Sequence, residues 1–72
     1  MGKTIKYPAG ERVWVSYFDK NKELMFILTS KESRDFYFLY ENKDGSFVKL
    51  GRGKSPPDLL AKFQVEERLR KG

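Results

Sequence analysis

The most apolar stretch of the chain predicts the centre of a β-sheet. Positions 36–41 read Phe-Tyr-Phe-Leu-Tyr-Glu, so large side chains fall on both faces of a strand, because successive residues point to opposite sides. Positions 36, 38 and 40 share one face, and positions 37, 39 and 41 share the other. A strand with one solvated face would alternate apolar and polar residues instead. This strand is therefore either covered on both faces or has a second, aromatic face open to a partner.

The remaining apolar segments and turn signals predict the other elements. β-Branched and aromatic residues favour strands at 4–7, 12–18, 23–30 and 47–50. A Pro-Ala-Gly turn at 8–10 suits a hairpin between the first two strands, and Asp44-Gly45 is a strong hairpin signal before the last. The segment Gly-Arg-Gly-Lys at 51–54 breaks the strand pattern. We expect Ser55 to cap a C-terminal helix that is firm over 56–63 and continues towards Arg70.

Together these elements predict one small β-rich α+β domain. It consists of an antiparallel sheet of four to five strands, either an SH3-like barrel or a curved sheet, with one C-terminal helix. A length of 72 residues suits a single domain. One amphipathic helix covers only one face of such a sheet. The second face must close on itself as a barrel, pair with a second copy or bind a ligand, and the sequence leaves all three open.

The composition argues against an enzyme. The chain contains no cysteine and no histidine, which removes thiol nucleophiles, the commonest general base and the commonest metal ligands. We therefore expect no catalysis, no cofactor and no metal site. Gly53-Lys54-Ser55 resembles the end of a phosphate-binding loop, but the first glycine of that motif would fall at Val48, and two prolines follow. This departure rejects nucleotide hydrolysis.

No segment predicts contact with a membrane. The apolar runs are far shorter than the roughly 20 residues of a membrane span, and the N-terminus lacks the apolar region of a signal peptide. The absence of cysteine also fits a reducing compartment. We expect a cytoplasmic protein.

The charge distribution favours an anionic partner, with nucleic acid the commonest. Fifteen Lys and Arg oppose ten Asp and Glu, a net charge of +5. Basic residues concentrate in positions 1–22 and 48–54, the second of which contains no acid. The aromatic residues among them suit base stacking on single strands or wedging into a minor groove. The candidate nucleic-acid-binding residues are Arg12, Trp14, Lys49, Arg52 and Lys54.

The sequence thus predicts a non-catalytic nucleic-acid-binding module that tolerates many sequences, with DNA favoured over RNA. Basic residues would contact phosphates, and aromatic residues on a sheet face would add contacts. The alternative is a small protein-interaction module or homodimer that uses the uncovered sheet face and binds no nucleic acid. The plainest interpretation of the charge is that it only keeps the domain dispersed.

Three short stretches resemble the small archaeal seven-kilodalton chromatin proteins: positions 38–41 (Phe-Leu-Tyr-Glu), 51–53 (Gly-Arg-Gly) and 57–60 (Pro-Asp-Leu-Leu). The resemblance implies an N-terminal hairpin, a three-stranded sheet and a C-terminal helix in an SH3-like barrel. It also implies sequence-tolerant binding in the DNA minor groove by the sheet face, with Arg52 as the residue whose role is carried over. The shorter connection to the helix, the fewer lysines and the additional acids depart from that family. The order of strands and helix also resembles the dimeric single-stranded-DNA-binding coactivator family.

Overall fold

The computed structural model describes residues 6–31 and 35–71. In chain order, its elements are β1 (Glu11–Phe18), β2 (Leu24–Lys31), β3 (Tyr37–Lys43), β4 (Ser46–Gly53), α1 (Pro56–Lys62) and α2 (Val65–Lys71). The strands form one antiparallel sheet in the order β1-β2-β3-β4. The predicted β-rich α+β class with a four-stranded antiparallel sheet and a helical C-terminus is confirmed. The sheet is not closed into a barrel, because β1 and β4 are opposite edges.

Side-chain hydrogen bonds and left-handed residues fix the turn between β1 and β2 and the turn between β3 and β4. The Asp19 carboxylate accepts hydrogen bonds from the amides of Asn21 at 2.8 Å and Glu23 at 3.0 Å, which orders the turn between β1 and β2. Between β3 and β4, Asp44 and Gly45 have φ angles of 56° and 92°. Two consecutive positive φ angles are the geometry that Asp-Gly favours in a two-residue hairpin loop. The hairpin predicted at this dipeptide is confirmed.

The predicted N-terminal hairpin is wrong at Lys6. Instead of pairing with β1, Lys6 forms an isolated parallel bridge with Ser46 at the start of β4. Its amide donates to the carbonyl of Gly45 at 3.4 Å. Positions 4–5 of the predicted strand lie outside the described residues. Because β1 and β4 are opposite edges, the chain crosses from one edge to the other before β1, and Gly10 supplies the positive φ of 75° in that turn.

The glycines after position 50 do not end the last strand, contrary to the prediction. β4 continues to Gly53, and both of its late glycines face the helices. A Cβ atom at Gly51 would lie 2.7 Å from Cζ of Phe63, whereas one at Gly53 would meet Leu59 at 3.7 Å. The glycine at position 51 therefore allows the helical segment to approach the strand, which explains its place in the sheet.

The predicted single helix is two short helices. α1 ends at Lys62, and Gln64 takes a left-handed φ of 52° before α2 begins at Val65. A left-handed residue is a common way to end a helix. Ser55 occupies the predicted N-cap position, but its side chain makes no capping hydrogen bond.

The sheet separates two apolar clusters. The helix-side cluster combines β2 and β3 with the helices, through Phe26, Leu28, Leu39, Leu59 and Val65. The other cluster lies on what we call the helix-free face and consists of Ile27, Phe38 and Tyr40, with Val13, Leu24, Phe36 and Phe47 around them. Phe38 and Tyr40 thus share one face and Leu39 the other, as the alternation of β3 predicts. Neither α1 nor α2 packs on the second aromatic face.

Candidate functional site

Cationic side chains lie over the aromatic rings of the helix-free face. Nζ of Lys49 is 4.3 Å from the ring centroid of Phe38 and 5.7 Å from that of Tyr40. Nζ of Lys31 is 6.0 Å from the Phe38 centroid. Strand pairing explains this arrangement, because Lys49 lies opposite Tyr40 in the register of β3 and β4, and paired residues share a face.

A second set of cations surrounds Phe36, the half-buried residue just before β3. Cζ of Arg52 is 5.1 Å and Nζ of Lys54 is 5.8 Å from its ring centroid. All the cations concerned are exposed, so their charges face solvent while the rings lie beneath them. We call this surface the cation–aromatic layer; its members are Lys31, Lys49, Arg52 and Lys54 over Phe36, Phe38 and Tyr40.

A carboxylate lies beside this layer and binds hydroxyl groups. Both oxygens of Glu11 accept hydrogen bonds from the Tyr40 hydroxyl at 2.9 Å, and Oγ1 of Thr29 donates to Oε1 at 2.7 Å. Burial raises the pKa of Tyr40 well above its usual value, and the hydrogen bond and charge of Glu11 raise it further. Tyr40 therefore remains a hydrogen-bond donor at neutral pH and holds Glu11 against the sheet.

The five candidate residues divide between the two faces. Lys49, Arg52 and Lys54 come together in the cation–aromatic layer. Arg12 and Trp14 lie on the helix side of the edge strand β1, where Cζ of Arg12 is 4.6 Å from the indole centroid. The two regions are separated because β1 and β4 are opposite edges of the sheet.

A hydrogen bond places the tryptophan on that other side. Nε1 of Trp14 donates to Oγ of Ser30 at 2.6 Å. Ser30 pairs with Tyr37, which packs against the helix-side cluster. Arg12 therefore does not share a face with the basic residues of 48–54, whose strand is at the opposite edge of the sheet.

Lys31 is the member of the layer that the sequence analysis missed. It ends β2 and shares a face with Ile27 and Thr29, since the three alternate along one strand. That parity was available from the sequence, but the predicted strand ended at position 30. Strand β2 extends to Lys31, which brings this ammonium group over Phe38.

The positive surface continues to the junction of β4 with α1. A shallow depression of about 210 Å³ there is lined by Arg52, Gly53, Lys54, Ser55, Asp58, Leu59 and Lys62. The start of a helix usually offers free backbone N–H groups to an anion. The first two helical residues are Pro56 and Pro57, which have no N–H. Side-chain cations, rather than the helix end, are the groups that this junction offers to an anion.

Neither a metal site nor a membrane-spanning helix is found in the described ranges. No group of three or more acidic side chains there is placed to hold a metal ion. No helix in the same ranges is long and apolar enough to cross a bilayer.

Comparisons of the chain with family models, with curated proteins and with solved structures found no match. The resemblances to archaeal chromatin proteins and to the coactivator family therefore stay hypotheses.

Proposed function

We propose that this protein is a non-catalytic nucleic-acid-binding module and that the helix-free face is its interface, with DNA as the favoured ligand. The observation that carries the proposal is the cation–aromatic layer. It gathers cations from β2, from β4 and from the segment after β4 on the face where neither helix packs. A net charge of +5 adds a long-range attraction for polyanions.

The mechanism is phosphate neutralisation. Each Lys or Arg that meets a phosphate releases condensed counterions, so the logarithm of affinity falls linearly with the logarithm of salt concentration, with a slope near −0.9 per contact on duplex DNA. Arg52 also has a planar guanidinium that can pair with two phosphate oxygens at once. Phosphates carry no base information, so this mode of binding tolerates many sequences.

The rival function is a protein-interaction module or homodimer on the same face. Its support is that Tyr7 and Phe18 are large apolar residues about half exposed, at 50% and 54%. Tyr7 stacks on Phe47 with a centroid separation of 5.3 Å, which places it on the helix-free face. An apolar protein interface is far less sensitive to salt than phosphate contacts are, so salt dependence separates the two functions.

Replacing Lys49 with glutamine tests the proposal at its central cation. Lys49 is the cation nearest to Phe38, and glutamine removes its charge while it keeps much of the stem. We expect the affinity for a DNA duplex to fall about eightfold at about 0.1 M salt, and the salt slope to become less steep by about 0.9. Fluorescence anisotropy with a labelled duplex of about 20 base pairs, titrated over about 50–200 mM salt, measures both quantities.

The matched control is Lys20→Gln, which removes the same charge from an exposed residue in the turn between β1 and β2. It should leave the slope unchanged. Equal effects of the two substitutions would mean that only net charge matters, which contradicts a defined interface. A wild-type protein that binds neither a DNA duplex nor a single strand at about 50 mM salt would reject the function.

A further inference from the structure

The rings of the cation–aromatic layer are not free to stack on bases. Phe38 and Tyr40 are only 8% and 6% exposed, and Lys49 lies over both. Phe36 is half-buried beneath Arg52 and Lys54. A base could reach these rings only by displacing the cations that would bind its phosphates. Base stacking and groove wedging, the two aromatic roles that the sequence suggested, are therefore both disfavoured in the layer.

The more exposed aromatic rings lie outside the cation–aromatic layer. Trp14 is 41% exposed but lies on the helix side of β1, with Arg12 over its ring. Tyr7 is on the helix-free face, where Phe47 stacks against it. Tyr7 and Phe18, the two aromatic residues that are about half exposed, at 50% and 54%, both lie outside the layer.

We infer that the layer binds the phosphate backbone of a double-stranded nucleic acid, and that Phe36 and Phe38 are positioning residues for the cations of the layer. This inference rests on the proposed function and deepens it. A cation over a ring face is attracted by the ring quadrupole. Long basic side chains normally lose much rotamer freedom when they bind, and side chains already held in place lose less.

The spacing of charge in nucleic acids favours the duplex. Double-stranded DNA carries one negative charge per roughly 1.7 Å of axis, and each neutralised phosphate contributes a larger salt slope on a duplex than on a single strand, about 0.9 against about 0.7. Single strands usually recover affinity by stacking their bases on aromatic side chains. The layer has no free ring to offer, so it lacks that compensation.

Substitution of the rings tests the inference without any change in charge. Phe38→Leu removes the ring beneath Lys49 and Lys31 but keeps an apolar side chain in the cluster. Phe36→Leu makes the same change at a less buried position, so it remains informative if the first variant unfolds. The control is Phe63→Leu on the helix side, where Nζ of Lys62 lies 5.7 Å from the ring centroid. Anisotropy titrations would use one labelled DNA duplex and, separately, one of its strands, with thermal unfolding of each variant followed by circular dichroism.

We expect the wild type to bind the duplex more tightly than the single strand. Each leucine variant of the layer should weaken duplex binding by about two- to fivefold, while Phe63→Leu leaves it unchanged. Tighter binding of the single strand, or folded Phe36→Leu and Phe38→Leu variants with wild-type duplex affinity, would overturn the inference while the proposed function stood. Absence of wild-type binding to both forms would reject the function itself and the inference with it.

Discussion

Simultaneous replacement of the layer's four cations by glutamine will abolish measurable binding to DNA. At about 0.1 M salt, each phosphate contact contributes about eightfold through counterion release, so the loss of four contacts lowers affinity by about three to four orders of magnitude. Sequence-tolerant binding is itself weak, with dissociation constants of about 10⁻⁴ to 10⁻⁶ M, so the variant should show no transition in an anisotropy titration. The variant replaces Lys31, Lys49, Arg52 and Lys54.

A second quadruple variant has the same net charge as the first and provides the control. It replaces Lys20, Lys22, Arg70 and Lys71, which are exposed and lie outside the layer. Both variants have a net charge of +5 − 4 = +1. Circular dichroism must show that both variants are folded, because each cation of the layer also contributes about 0.5–1 kcal/mol to the stability of the fold through its contact with an aromatic ring. Equal loss of binding in the two variants would contradict a localised interface.

The largest stability effect at a single small residue is expected at Gly51. Alanine there would place its Cβ 2.7 Å from Cζ and 2.8 Å from Cε2 of Phe63, which is closer than carbon atoms approach in a relaxed core. The ring and the helical segment must move, and such overpacking costs about 1–3 kcal/mol. Chemical denaturation of Gly51→Ala against the wild type measures the change in the free energy of unfolding.

Gly53→Ala is the matched control on the same strand, because its Cβ would meet Leu59 at an ordinary 3.7 Å. It should be neutral or slightly stabilising, since alanine restricts the unfolded chain more than glycine does. Adding Phe63→Leu to Gly51→Ala should recover part of the loss, as expected when two residues share one contact. A Gly51→Ala protein as stable as the wild type would refute the close approach of Phe63 to β4.

The sequence was informative wherever local chemistry decides the structure. The alternation of positions 36–41 correctly assigned Phe38 and Tyr40 to one face and Leu39 to the other, because strand parity depends only on consecutive residues. Asp44-Gly45 predicted its hairpin for the same reason, since this dipeptide adopts two positive φ angles at low cost. Ser55 occupies the predicted N-cap position, although its side chain makes no capping hydrogen bond.

The errors came from contacts between residues that are distant in sequence. Gly51 was interpreted as a strand breaker, although it is the position where Phe63 approaches the strand. Lys6 was assigned to a hairpin with β1, but it bridges to Ser46 at the opposite edge. The left-handed Gln64 that divides the helix has no strong local signal, since glycine or asparagine is the usual residue there.

The same limit applies to the candidate site. Lys49, Arg52 and Lys54 were close in sequence, so their grouping was predictable from the charge pattern alone. Arg12 belongs to a strand whose place in the sheet order decides which cations it meets, and the sequence does not contain that order in any local signal. Its position at the edge opposite β4 separates it from the others.

Titration of the folded protein with a DNA duplex, followed by NMR of the aromatic side chains, tests the central claim most directly. The rings of Phe36 and Phe38 lie under the cations that are proposed to bind phosphate, so their signals report binding there. The ring signals of Phe63 report on the helix side. We predict that the first two shift progressively at low salt, that they return when salt is added, and that Phe63 remains unchanged. Shifts confined to Phe63 and Trp14, or no shifts at all, would contradict binding by the helix-free face.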